Sequence, residues 1–137
     1  MRAVWYSETG AAADVLRTGD VPDPRPAAGE VLVRIAASGV NPIDVKLRKG
    51  LRPLEEGEKV IPHFDGAGVI EDVGDGVPKE RLGERVWLYE AAWQRPGGTA
   101  AEFIAIASDL AVALPEGVEF AVGACLGIPA MTAHRCV

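Results

Sequence analysis

The stretch "EVLVRIAASGVNPIDVKLRKG", residues 30–50, contains a strand pattern that leads directly into the start of a helix. Val31, Val33 and Ile35 alternate with the residues of the opposite face, which is the two-residue period of a β-strand. Arg34 falls on that opposite face, where its charge reaches water. The pattern therefore predicts a strand that buries one side and is followed by a short helix.

The residues after this strand carry signals for both ends of the helix. Asn41 is a favoured N-cap residue, and Pro42 suits the first helical position. Asp44 falls at the third position, where a carboxylate can approach the N–H of Asn41 and the positive helix end. Gly50 can end the helix in the left-handed conformation. Local physics thus explains Asn41 as a cap that contributes about 1 kcal/mol.

Six further runs of strand character occur before residue 119, and turns rich in glycine and proline separate them. The chain has 16 glycines and 10 prolines in 137 residues. Seven short strands with such breaks predict a mainly β fold, either a barrel or a sandwich. The six runs are RAVWY, VLRTGDVP, GAGVIEDVG, GERVWLYEA, AAEFIAIA and LAVALP.

The character of the sequence changes at residue 119, where small apolar residues that tolerate a helix take over. Pro129 suits the first turn of a second helix. We therefore predict a β domain over residues 1–122 and the start of a helical connection over residues 123–137. The apolar side of residues 119–137 is expected to pack poorly on the barrel and to face another domain. The sequence is accordingly expected to be the front part of a larger protein.

Charge and composition exclude several kinds of partner. Fourteen basic and twenty acidic residues give a net charge of −6, whereas nucleic acids and anionic membranes attract a basic face. No run approaches the roughly 18–20 apolar residues of a membrane span, and the first residues do not resemble a signal peptide. The two cysteines, Cys125 and Cys136, predict a reducing cytoplasm and buried or unreactive thiols. We expect a cytoplasmic protein with no nucleic-acid or membrane partner.

Five segments occur together in a specific order: SGVNPIDVKLRKG, IPHFDGAGVIEDVGDGV, LGERVW, GGTAAEF and CLGIPAMTAH. Over essentially all 137 residues the chain resembles the N-terminal half of a zinc-free quinone oxidoreductase, in the zeta-crystallin-like branch of the medium-chain dehydrogenase/reductase superfamily. This resemblance implies a GroES-like, partly open β-barrel with short helices. It also implies that the last, truncated helix leads to a Rossmann domain that this chain lacks.

The resemblance carries an activity and a set of site residues. Such enzymes pass reducing equivalents from NADPH to a quinone or a similar electron-poor acceptor, and the whole protein is expected to be a homodimer. Asn41 is implied to be catalytic and to contact both cofactor and substrate, with Asp44 on the substrate side. Thr132 belongs to a helix that faces the nicotinamide. Many relatives have an aromatic residue at Lys46 and a glycine at His63.

Zinc ligands are missing from the positions that hold them in zinc-dependent cousins. Those cousins carry Cys at Asn41, His-Glu at Phe64-Asp65 and a further Cys at Ile128. Catalytic zinc needs three protein ligands of Cys, His or carboxylate type, and only the carboxylate of Asp65 is present here. The closely spaced cysteines of the structural-zinc loop are missing too. The sequence therefore predicts no bound zinc.

No Rossmann fingerprint is present in the chain. Gly66-Ala67-Gly68 comes closest to the required Gly-x-Gly-x-x-Gly, but it lies inside a strand pattern, where glycines indicate bends or close backbone approach. NADPH is therefore expected to bind mainly to the missing domain. Two alternatives stay open: a zinc-free enoyl reductase of the same superfamily, and a stand-alone GroES-like module used for binding or assembly.

Overall fold

Seven β-strands form the framework of the chain, and the computed structural model describes all of residues 1–137. Each of the seven predicted strands is present. They are β1 (Arg2–Trp5), β2 (Arg17–Asp20), β3 (Glu30–Gly39), β4 (Asp65–Val73), β5 (Arg85–Leu88), β6 (Phe103–Ala107) and β7 (Ala111–Ala113).

The helices are all short, and none is long and apolar enough to cross a membrane. The α-helices are α1 (Ala12–Val15), α2 (Pro42–Lys46), α3 (Phe120–Gly123) and α4 (Met131–Arg135). Two π-helical turns, Leu47–Leu51 and Leu126–Ala130, and two 3-10 turns, Lys79–Arg81 and Ser108–Leu110, complete the set.

Helix α1 is a departure from the prediction, since the strand pattern of VLRTGDVP predicts that Val15 begins the second strand. Val15 lies instead in the helical turn, and β2 begins two residues later. Its side chain is buried in a small cluster with Tyr6 and Val60. Burial in that tertiary cluster explains why the β-branched residue is held in a helical turn.

The strands form one five-stranded sheet and one two-stranded sheet. The larger sheet is antiparallel throughout, in the order β6-β3-β4-β5-β7. The smaller sheet pairs β1 with β2, and isolated bridges such as Ala3–Ala101 and Tyr6–Val60 join it to the rest of the chain. The strand pattern predicted a mainly β fold, and this architecture is the partly open, GroES-like barrel that the family resemblance implied.

The alternation along β3 places its apolar residues in the core. Val31 and Val33 are fully buried, whereas Arg34 is exposed. The two-residue period is thus confirmed. The buried core cluster consists of Val31, Val33, Ile70, Val86, Leu88, Ala91, Ile104, Ile106 and Ala111.

Close contact between β3 and β4 explains the glycines at the start of β4. The register of the pair shifts between Ile35 and Ala37, opposite Gly68. A Cβ atom on Gly68 would lie 2.0 Å from the carbonyl oxygen of Arg34, and one on Gly66 would lie 2.8 Å from the Thr99 methyl carbon. These glycines therefore permit close approach, as predicted, and they do not form a phosphate-binding loop.

The C-terminal segment packs on the barrel further than expected. Gly123 and Ala124 of the α3 region are buried, and a Cβ on Gly39 would lie 2.3 Å from the Ala124 carbonyl oxygen. The expectation of poor packing is therefore wrong at residues 123, 124 and 127, because small residues let α3 approach β3 closely, whereas Val122 is exposed. Residues 129–137 are all exposed. The division at residue 122 stays a prediction.

Both cysteines, Cys125 and Cys136, are free and exposed. Of the two expected states, buried is therefore wrong, whereas unreactive stays a prediction. Cys125 lies between the buried residues of α3 and the next helical turn, and Cys136 lies at the exposed end of α4.

Candidate active site

The start of α2 holds two of the predicted site residues in a capping box. Asn41 is the extended N-cap, and the Asp44 carboxylate accepts a hydrogen bond from its backbone N–H at 2.7 Å. Both residues are buried, at 4% and 6% exposure. Asn41 thus occupies the predicted N-cap position, and the predicted role of Asp44 at the helix end is confirmed. Gly50 has φ +101°, so it supplies the left-handed residue near the end of the following turn, as predicted.

The side-chain amide of Asn41 is bonded to a second carboxylate. Its Nδ2 donates to Asp65 Oδ2 at 2.8 Å, and the backbone N–H of Ile128 donates to the same oxygen at 2.9 Å. Asp65 is the first residue of β4 and is completely buried. Its other oxygen, Oδ1, has no hydrogen-bond partner, and neither has Oδ1 of Asp44. Two buried carboxylates thus lie close to one amide, with no basic side chain bonded to either.

A chain of hydrogen bonds leads from Asp65 to His63. The Thr99 hydroxyl donates to the Asp65 carbonyl at 2.6 Å, because a carbonyl oxygen can only accept. Ser38 Oγ lies 2.8 Å from Thr99 Oγ1, so the Ser38 hydroxyl donates to that oxygen. His63 Nδ1 lies 2.8 Å from Ser38 Oγ and must then donate as Nδ1–H. This order assigns the neutral His63 tautomer and leaves its Nε2 as an acceptor.

Burial controls the protonation of this cluster. Burial raises the pKa of the Asp44 carboxyl, although the bond from the Asn41 N–H opposes the shift. Burial likewise raises the pKa of Asp65, against the bonds from Asn41 and Ile128. Burial lowers the pKa of the His63 imidazole, and the nearby Asp44 carboxylate opposes that change. Low dielectric thus disfavours every charge here, as is common at functional sites.

A cavity of about 560 Å³ opens beside Asp44. Nine of its seventeen lining residues are hydrophobic, including Ile43, Leu51, Phe64 and Trp93. Leu51 and Trp93 are largely exposed, so the opening is apolar as well. Its size and its largely apolar wall, which also carries charged residues such as Asp44 and Arg95, are typical of a small-molecule site. Asp44 belongs both to the cavity wall and to the capping box of Asn41.

The structure brings some of the predicted site residues together and leaves others apart. Asn41 and Asp44 are in direct contact, whereas Thr132 lies exposed on α4 and makes no hydrogen bond to either. Lys46 is exposed in the last turn of α2. His63 has φ +80°, a conformation that glycine adopts without strain, in keeping with the glycine expected there in relatives.

Sequence reasoning missed the roles of Asp65, Ser38 and Thr99. Asp65 did carry a signal, because it is a lone acidic residue directly before the apolar run of β4. Ser38 and Thr99 carried none, since a single hydroxyl residue in a strand or turn predicts nothing about its partner. Their contact depends on residues 61 positions apart in the chain.

The three positions that hold zinc ligands in the cousins do meet in this structure. Asn41 and Ile128 both donate to the Asp65 carboxylate, and Phe64 precedes Asp65 directly. No group of three His, Cys, Asp or Glu side chains is placed to hold a metal ion. The residues at this site therefore do not fit a catalytic zinc ion, which needs three such ligands.

Comparison with known proteins defines the class first. Residues 27–116 match the sequence profile of the Alcohol dehydrogenase GroES-like domain, and the chain belongs to this family. The curated quinone oxidoreductase of Rattus norvegicus is 36% identical over 137 residues, which is all of this chain and 40% of the relative. The chloroplastic quinone-oxidoreductase homolog of Spinacia oleracea is 37% identical over 139 residues, again all of this chain and 42% of the relative.

A solved structure extends the likeness to the fold. The Escherichia coli quinone oxidoreductase complexed with NADPH superposes with a TM-score of 0.86 at 26% identity, over 99% of this chain and 40% of that one. These findings confirm the resemblance to quinone oxidoreductases and the GroES-like fold. The chain spans about 40% of the length of the relatives it matches.

Proposed function

We propose that this chain is the GroES-like part of an NADPH-dependent quinone oxidoreductase that works without zinc. The observation that carries the proposal is the similarity to quinone oxidoreductases along the whole chain, at 36% identity to the rat protein. The cavity lined by Asp44 supplies a place for an electron-poor acceptor, and the Asn41 amide lies next to Asp44 at the start of α2.

Zinc-free operation rests on the chemistry of the site. An amide, a phenyl ring and a backbone N–H occupy the three positions at Asn41, Phe64 and Ile128, and the carboxylate of Asp65 is already bonded to two of them. A quinone is electron-poor without a Lewis acid. Metal analysis of the native gene product after washing with a chelator tests this point, and one stoichiometric zinc per chain would contradict it.

NADPH is proposed as the cofactor because the E. coli relative was solved with it. When bound, it supplies a hydride. The residues of this chain fit only the nicotinamide end: the Asn41 amide and the Thr132 hydroxyl can hydrogen-bond a carboxamide. The chain has no glycine-rich turn at a helix start and a net charge of −6, so it offers nothing for the phosphates.

The task proposed for Asn41 is to donate a hydrogen bond to the acceptor oxygen on which negative charge develops. An N–H donor held in a buried site stabilises such charge more than it would in water. The capping box holds the backbone of Asn41, and the Asp65 carboxylate holds its side chain. The donor is therefore fixed before the ligand arrives. Asp44 borders the acceptor through the cavity wall.

The same proposal gives the whole protein a cytoplasmic location and a homodimeric state, with no nucleic-acid or membrane partner. The acidic net charge supports the last part. Cell fractionation tests the location, because one relative is chloroplastic by name. Light scattering on the native gene product tests the dimer, and a monomer at micromolar concentration would contradict it.

The decisive functional test uses the native gene product and two substrate classes. Its mass is measured first, and NADPH oxidation is then followed with a series of quinones and with enoyl thioesters. We expect a protein considerably heavier than 14.4 kDa that turns over quinones. Turnover of enoyl thioesters alone would identify an enoyl reductase. A native mass of 14.4 kDa with no turnover would identify a stand-alone module.

A further inference from the structure

Asp65 differs from the other acidic residues of the chain in its surroundings. It is the only carboxylate with no exposed surface, and no Lys or Arg forms an ion pair with it. One of its oxygens accepts two N–H bonds, from Asn41 and Ile128, and the other accepts none. Burying an acid without a cation is costly. Stability alone does not explain such an acid at this position.

The donors and acceptors of Asn41 can be counted. A side-chain amide has two N–H groups and one carbonyl oxygen. One N–H is committed to Asp65, and the Asp44 N–H donates to the backbone carbonyl of Asn41 at 3.0 Å rather than to its side chain. One N–H remains for a ligand. Since a carboxylate only accepts, Asp65 permits one of the two amide orientations and disfavours the flipped one, which would bring two oxygens together.

The same carboxylate touches the C-terminal segment. Besides the bond from the Ile128 N–H, Gly127 lies against it so closely that a Cβ atom there would be 2.1 Å from Asp65 Oδ1. Any side chain at residue 127 would therefore displace the carboxylate. The turn at residues 127–128 and the amide of Asn41 are thus in contact with the same buried carboxylate.

We propose that Asp65 is the positioning residue of this site: its carboxylate fixes the Asn41 amide in one orientation and couples that orientation to the docking of the Gly127–Ile128 turn. Asn41 then presents its second N–H in one fixed direction, which suits a ligand oxygen. The identity of that ligand rests on the proposed function, whereas the coupling rests on the contacts of Asp65 alone.

The coupling is tested by NMR on the ¹⁵N-labelled 137-residue chain, through the side-chain N–H₂ signals of Asn41. In the wild type we expect two well-separated proton signals, with the proton bonded to Asp65 shifted downfield and slow to exchange. Gly127→Ala never touches Asn41, yet it should speed that exchange at least about tenfold, because local opening no longer has to break the bond to Asp65. Asp65→Asn should do the same.

The matched control is Gly97→Ala, whose new Cβ meets only the flexible end of Arg95 at 3.4 Å. It should leave the Asn41 signals and their exchange unchanged. If folded Gly127→Ala keeps the wild-type Asn41 signals and exchange rate, the coupling is refuted. Equal effects from Gly97→Ala and Gly127→Ala would refute it as well.

If those variants do not fold, a pH titration of the wild-type chain followed by NMR still tests the coupling. As the pH is changed, the chemical shifts of the Asn41 N–H₂ and the Ile128 N–H should both change together with that of the Asp65 carboxyl carbon. All three curves should share one midpoint pH. Asp44 is the titratable neighbour of Asp65, and His63 is that of Asp44; repeating the titration in Asp44→Asn separates the contribution of Asp44. Different midpoints for Asn41 and Ile128 would overturn the proposal. None of these measurements uses NADPH or a quinone, so failure here and failure of the proposed activity are distinguishable.

Discussion

The side chain of Asn41 lies between two buried acids, and this arrangement limits what can replace it. As a cap alone, Asn41 could be exchanged for aspartate or serine at little cost, because both cap well. In the structure, however, its Nδ2 is 2.8 Å from Asp65 Oδ2, and its backbone N–H is bonded to Asp44. A third carboxylate at this point would face two others.

The first prediction concerns pH and this third carboxylate. In Asn41→Asp the new acid and Asp65 should share a proton, so their folded pKa values are raised above the unfolded ones. Stability from a raised acid pKa is fully present below about pH 4 and is lost as pH rises through the folded pKa. In urea unfolding, the free energy of unfolding of Asn41→Asp should therefore be lower than that of the wild type. This deficit should grow between pH 4.5 and 7.5, to on the order of 3 kcal/mol.

Asn41→Ser is the control for that experiment. It caps the helix and adds no charge, but it removes one donor to Asp65, which costs about 1–3 kcal/mol. The difference in the free energy of unfolding between Asn41→Ser and wild type should change much less with pH than the difference between Asn41→Asp and wild type. Identical pH profiles for the two variants would show that Asp65 does not sense the residue at position 41.

The second prediction concerns the proton on His63. The hydrogen-bond order through Ser38 and Thr99 requires a donor at Nδ1. Long-range ¹H–¹⁵N correlation at pH 8 should show protonated Nδ1 and unprotonated Nε2 in His63, while His134, exposed on α4, serves as the internal reference. In Ser38→Ala the preference for Nδ1–H should be lost. An Nε2–H tautomer in the wild type would reverse the whole chain of donors.

Among the elements, the pair β3–β4 forms the base of the site. Its close approach depends on glycine at residue 68, where a Cβ would lie 2.0 Å from the Arg34 carbonyl oxygen. Backbone atoms cannot move aside as a flexible side chain can. The shift of register opposite Gly68 also sets the direction of the end of β3, which leads to Asn41.

The third prediction follows from this contact. Gly68→Ala should destabilise the chain by about 3 kcal/mol, the upper end of the usual cost of overpacking, as measured by urea unfolding. Gly97→Ala, with only a flexible side chain near its new Cβ, should change stability by less than about 0.5 kcal/mol. Equal urea midpoints for Gly68→Ala and Gly97→Ala would mean that β3 and β4 are not in close contact at residue 68.

The elements also show what the sequence can and cannot predict. Two signals are local: the alternation of buried and exposed residues along β3, and the helix start at Asn41-Pro42. The structure confirms both. The bond between Asn41 and Asp65 is not local, because the partners are 24 residues apart and meet only when β3 pairs with β4. Helix α1 was missed because tertiary burial of Val15 outweighed its strand propensity.

At the scale of the whole molecule, the chain provides one wall of the site in the proposed enzyme. The buried amide, the apolar cavity and the exposed α4 are present, but a phosphate-binding turn is not. The exposed apolar residues Val122 and Met131 lie on the same C-terminal segment that carries Thr132. In the proposed enzyme this segment borders the nucleotide.

The fourth prediction is that the isolated 137-residue chain does not bind NADPH tightly. It has no glycine-rich turn opening a helix, and its net charge of −6 repels phosphates. Isothermal titration calorimetry should give no heat of binding at concentrations up to about 100 μM, which corresponds to a binding free energy weaker than roughly −5.5 kcal/mol. Micromolar affinity would mean that the chain holds a dinucleotide site of its own.

The central claim is that Asn41 donates to an acceptor that becomes reduced, and the turnover of Asn41→Ser in the native gene product tests it most directly. Loss of one preorganised donor to a developing oxyanion costs roughly 2.7–4 kcal/mol. A quinone spreads its charge, so we expect about 1–2 kcal/mol, which lowers kcat for quinone reduction about 5- to 30-fold. The comparison is made at a temperature where both proteins are folded. A 5- to 30-fold lower kcat in the folded variant supports the account, and an unchanged kcat would leave Asn41 as a helix cap and nothing more.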